Sequence, residues 1–141
     1  MMHPYFKNPC VSLYYSREEK LGMAEWEGHL RGADFREAML LCLELMDRFG
    51  LKGWLEDDRK VLTVDAADLQ WSKGVLTVRL KTIPLLRLAR LPSEVAQPTL
   101  SDGVKVGVRL DSGSSLALRD FKEKQAALDW LQEIALGIAV M

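Results

Sequence analysis

The sequence predicts an α/β fold on a mixed sheet that opens with an antiparallel hairpin. Two neighbouring segments near the start have strand composition, and the second alternates with a period of two. Beyond them, short strand-like runs alternate with segments of helical period, which implies parallel strands joined by crossovers. The chain has 141 residues, 48% apolar and 28% charged. That length and composition suit one folded domain and exclude general disorder.

Residues 1–10 read as an N-terminal tail and 11–141 as the domain. Val11 to Ser16 is β-branched and aromatic, as strands are. Leu21 to Leu30 places Ala24, Trp26, Gly28 and Leu30 on one side and Met23, Glu25, Glu27 and His29 on the other. The two segments form the hairpin. Asp34 to Phe49 is the clearest helix, with Asp34 as its cap and Glu37 three residues on. Its apolar face runs through Phe35, Ala38, Met39, Cys42, Leu45, Met46 and Phe49, and Gly50 supplies a left-handed stop.

Lys52 to Glu56 reads as a short strand, followed by a charged loop, Asp57-Asp58-Arg59-Lys60. Asp65 caps a second helix, Ala66 to Lys81, and Leu85 to Leu91 is a further strand. Ser93 to Ser115 admits two readings. Val104, Val106, Val108 and Leu110 alternate like a strand, and a short helix from Ser101 is the other reading. Leu116 to Phe121 is a last strand. Lys122 to Ile138 is a closing helix with Ala127, Trp130, Leu131, Ile134 and Ile138 on one face.

The formal net charge of -1 argues against nucleic-acid binding by bulk electrostatics. Cys10 and Cys42 are too few for a disulfide framework, and a reduced, cytoplasmic state is expected. The start shows no signal-peptide pattern, and no apolar run approaches the ~20 residues of a membrane span. There is no Walker-type loop or dinucleotide fingerprint. His29 with scattered acids is not metal-ligand spacing, and no Cys-His arrangement supports a nucleophile. No metal or cofactor is expected.

The order of several motifs resembles a known family. The hairpin carrying Glu25-Trp26-Glu27-Gly28 leads into Asp34-Phe35-Arg36-Glu37-Ala38. Trp54-Leu55, Asp57-Asp58-Arg59-Lys60, Asp68 with Trp71, and Arg79 follow. Phe121, Ala127 and Trp130-Leu131 close the chain. Together they resemble the SpoIIAA-like, STAS-related small bacterial proteins over Val11 to Leu131. The resemblance implies a mixed five-stranded sheet with about four helices, a layout shared with the lipid-binding CRAL-TRIO domains. It also implies binding rather than catalysis. STAS anti-sigma-factor antagonists carry an approximate Asp-Ser-Ser-Gly motif, phosphorylated at the start of the helix after the third strand. This chain has Asp57-Asp58-Arg59-Lys60 there, with Thr63 the nearest hydroxyl.

These readings define an expected site at the loop after the third strand, where crevices of open α/β sheets form. Its residues are Trp54, Asp57, Asp58, Arg59, Trp71 and Arg79. Asp57 and Asp58 beside Arg59 suit a partner's polar groups; the plainer reading is a structural Asp–Arg pair. Trp71, Val75 and Arg79 recur every four residues and, with Trp26 and Trp54, would wall an apolar pocket; the plainer reading is core packing. The basic stretch of Arg79, Lys81, Arg87 and Arg90 reads as a solvated face. The expected function is non-enzymatic: a regulatory module docking a protein partner, or alternatively a carrier of a small amphipathic ligand. A homodimer is compatible with either.

Overall fold

The computed structural model describes residues 1–95 and 116–137. Six strands form one sheet in chain order: β1 (His3–Asn8), β2 (Val11–Ser16), β3 (Leu21–Leu30), β4 (Gly53–Val64), β5 (Arg87–Leu91) and β6 (Ala117–Asp120). The first three pair antiparallel, and β3 through β6 pair parallel. Three helices accompany them among the described residues: α1 (Gly32–Arg48), α2 (Ala66–Arg79) and α3 (Lys124–Gln132). The α/β class, the mixed sheet and the hairpin agree with expectation, whereas the sheet has six strands rather than five. The ambiguous stretch at Val104 to Leu110 and the expected helical residue Ile138 lie outside the described residues.

The sixth strand comes from the segment read as a tail. β1 pairs with β2 from His3↔Tyr15 to Asn8↔Val11. Pro4 is tolerated because β1 is an edge strand, where a missing N–H costs no ladder bond. Tyr5 packs edge-on to Tyr15, which stacks on Phe49 at 4.9 Å between centroids, so aromatic contacts fasten the edge. The Asn8 side chain closes the turn by accepting from the backbone N–H groups of Cys10 and Val11.

Helix α1 begins before Asp34, and Asp34 does not cap it. Arg31 stands at the cap position without a side-chain bond. Asp68, from the first turn of α2, instead accepts from Gly32 N–H at 2.7 Å and from Arg36 Nε at 2.7 Å. Asp65 does cap α2, accepting from Asp68 N–H at 3.0 Å. Gly50 holds φ +56 after α1, as its predicted role as a stop requires.

The core has two parts. Helices α1 and α2 cover one face of the sheet, over Leu13, Ala24, Trp26, Trp54 and Leu88. Helix α3 covers the other, over Leu21, Met23, Leu55, Ala89 and Leu91. Strands β3 to β5 contribute buried apolar residues to both faces because helices cover both.

Candidate functional site

The Asp57-Asp58-Arg59-Lys60 segment is not a loop. It lies inside β4, which is twelve residues long because the ten-residue β3 runs beside it from Leu21↔Gly53 to Leu30↔Val64. A bulge falls at the charged run: Glu25 faces Asp57 and Glu27 faces Lys60, so Asp58 and Arg59 stand opposite Trp26. Strand order follows chain order without reversal, so the sheet has no topological switch point to open the expected crevice.

The bulge divides the run by burial. Asp58 is 1% exposed, and Asp57 is also buried. Arg59 and Lys60 face solvent. Asp57 Oδ1 accepts from Arg59 Nε at 3.0 Å, and its Oδ2 from Arg59 Nη2 at 2.9 Å. Burial opposes ionisation of Asp57, but these bonds outweigh it and hold the carboxyl below its ordinary value. The same bonds raise Arg59. This is the structural Asp–Arg pair, with its arginine presented outward. Lys124 of α3 approaches Glu25 of β3 at 3.6 Å on this side.

A residue that the sequence reading passed over lies one step deeper. Glu56 is buried, and its two carboxyl oxygens accept from two indoles: Trp26 Nε1–H, and Trp54 Nε1–H at 3.1 Å. Burial pushes this carboxyl up to about 7. The indole bonds and Arg90 favour the charged form, while Asp57 opposes it. Arg90 is the register partner of Glu56 on β5. It is buried and ion-paired with Asp120 of β6, and is therefore not part of a solvated face. Arg87 is also engaged, donating to Glu133 and to the Trp130 carbonyl, each at 2.7 Å. The one sequence signal for Glu56 was its place at the end of an apolar strand, and that does not distinguish an exposed glutamate from a buried one.

The tryptophans do not wall a pocket. Trp26 and Trp54 are fully packed in the core. Trp71 is half-buried on α2 beneath the Arg36 guanidinium, 4.9 Å from its ring centre, and Arg79 ends the helix half-exposed. A small cavity lies elsewhere among the described residues, between α1, α2 and the sheet. It is lined by Met39, Cys42, Met46, Leu76, Leu88 and Glu56, among others. Its volume of about 20 Å³ admits one water molecule and no lipid chain.

Cys10 is buried, and burial raises its thiol to about 11. Burial likewise pushes Cys42 up, with Glu56 adding to the effect. Both thiols are poor nucleophiles at neutral pH. His29 Nδ1 sits 2.7 Å from Thr63 Oγ1 on the exposed end of the β3–β4 ribbon. Among the described residues, no group of three His, Cys, Asp or Glu side chains is placed to hold a metal ion.

An in-order mixed sheet, two helices on one face and a third on the other define a SpoIIAA-like fold. The chain is similar to an uncharacterised protein of the DUF3478 family with a SpoIIAA-like fold from Shewanella loihica. The TM-score is 0.53 at 17% identity, over 93% of this chain and 92% of that one. Likeness at that identity establishes the fold. No protein-family model matches the sequence, and no curated protein matches it.

Proposed function

We propose that this protein is a non-enzymatic interaction module of the STAS-like kind, acting in a bacterial cytoplasm and docking a protein partner on the outer half of β4. The pinned guanidinium of Arg59 carries this reading. Its side chain is 45% exposed, yet Asp57 fixes it through two hydrogen bonds. An arginine so held spends little entropy on binding and offers its remaining donors to a carboxylate.

Its surroundings suit docking. The β4–β5 pairing reaches only Asp57↔Leu91, while β4 continues to Val64 against β3. Lys60, Leu62 and Thr63 are exposed on that extension, which follows Arg59 along the strand. Trp54 and Asp58 are buried too deep to touch a partner, and Trp71 and Arg79 belong to α2 rather than to β4.

The test is affinity capture from the source cells with wild type and Arg59→Glu, each confirmed folded by circular dichroism. A partner with an acidic surface should be retained by wild type and lost by the variant. Capture of the same proteins by both would refute the assignment, as would capture of a second copy of this chain alone.

A further inference from the structure

Phe49, just past the end of α1, is a platform for two guanidiniums. Arg17, from the turn between β2 and β3, places its Cζ 5.2 Å from the ring centre. Arg48, the last residue of α1, places its Cζ 5.3 Å from the same centre. Tyr15 stacks on this ring, and Tyr5 meets it edge-on at 6.3 Å. A ring holds a guanidinium by its flat face and leaves its N–H edge free to donate. Arg17 and Arg48 are exposed, while Phe49 and Tyr15 are half-buried.

The fold does not use up either cation. Among the described residues, neither arginine pairs with a carboxylate, whereas Arg36, Arg59, Arg87 and Arg90 each do. Glu19 of the same turn is taken by the Met1 ammonium at 3.3 Å. The last carbonyls of α1 accept from the backbone N–H groups of Phe49, Gly50 and Leu51, so they do not need Arg48. Like charges gathered on one ring repel each other, and an anion between them relieves that repulsion. Beside Arg17 opens a cleft of about 470 Å³, lined by Met1, His3, Tyr15, Ser16, Arg17 and Glu18.

We propose that Arg17 and Arg48 bind the phosphoryl group of a small phosphate monoester, whose ring-bearing body lies in the cleft against His3 and Tyr15. A phosphoryl group carries about two negative charges at neutral pH and several acceptor oxygens, so it takes donors from both guanidiniums at once. A carboxylate is satisfied by one arginine. The Tyr5 hydroxyl, 3.5 Å from Arg48 Nη1, adds a further polar group at the same place. Glu18, also lining the cleft, repels the phosphoryl group toward the arginines. The cleft has the size of a small-molecule site and an aromatic wall for the body. The site lies where α1 ends and β4 has yet to begin, whereas Arg59 stands in the second half of β4, so this inference is independent of docking at Arg59.

Phenyl phosphate is the probe, titrated into the full chain and followed by 15N–1H spectra that include the arginine Nε–H groups. Wild type should bind it saturably, with Arg17 and Arg48 Nε–H and the Tyr15 and Phe49 amides shifting together. Inorganic phosphate, which leaves the cleft empty, should bind about tenfold more weakly. Arg17→Gln and Arg48→Gln should each weaken phenyl phosphate by about tenfold or more. Arg31→Gln, which removes the same charge at the opposite end of α1, should leave the affinity within about twofold. No saturable binding by wild type would overturn the site. Equal weakening by Arg31→Gln would overturn it too, because binding would then follow overall charge alone. Inorganic phosphate binding as tightly as phenyl phosphate would overturn the part given to the cleft. Arg17 lies in an exposed turn, so Arg17→Gln decides the matter if Arg48→Gln fails to fold.

Discussion

Glu56 gives the fold a stability that falls as pH rises. Its carboxyl ionises at about 7 in the native state, against an ordinary value of 4.5. Between those values the native protein holds a proton that the unfolded chain has released, and stability then decreases with pH. The contribution is complete below about 4.5 and is lost as pH climbs through about 7. At roughly 1.4 kcal/mol per pH unit, the gap amounts to about 3 kcal/mol. That is a large share of the ~5–15 kcal/mol typical of a domain. Asp57 and Asp68 are held below their ordinary value of 3.8. Their stabilisation is present above it and lost in stronger acid, outside this window. Urea unfolding at about pH 5 and about pH 8 should therefore give wild-type midpoints about 1–2 M apart, the lower one at high pH. Glu56→Gln should flatten the difference. Its amide N–H₂ must face one of the indole donors, so it should also be weaker than wild type at about pH 5, by roughly 1–3 kcal/mol. Wild-type stability that is flat or rising over this range would refute the reasoning. So would a Glu56→Gln protein with an unchanged pH slope.

Gly22→Ala tests how Trp54 is seated: the new Cβ would lie 2.4 Å from Trp54 Cζ3 and 2.7 Å from Leu51 Cδ1. Both side chains are fully buried, so a loss of about 1–3 kcal/mol is expected, and an unchanged melting temperature would contradict the packing. Asp68→Ala should cost about 1–2 kcal/mol by leaving Gly32 N–H and Arg36 without their acceptor. Because Gly32 and then Arg36 hold Asp68 below its ordinary value of 3.8, the deficit measured by chemical unfolding should shrink in acid below that value, as the wild-type carboxyl also protonates. A deficit independent of pH would argue against the charged cap.

The sequence by itself determined the α/β class, the hairpin, the α1 face, the Asp65 cap and the Gly50 stop. Each depends on residues a few positions apart, where spacing and conformational preference act directly. Tertiary structure alone decided the rest. Pro4, Lys7 and Asn8 read as a tail until β2 and the Tyr15–Phe49 stack supply an edge to join. Asp57-Asp58-Arg59-Lys60 has the composition of a solvated loop, yet the long β3 draws it into a ladder. Glu56 and Arg90 carry no local mark of burial. Their environment is made by Trp26, Trp54 and Asp120, up to 64 positions away in the case of Glu56 and Asp120. A charge reveals its cost only when the groups that replace its water are assembled, and distant strands assemble them here.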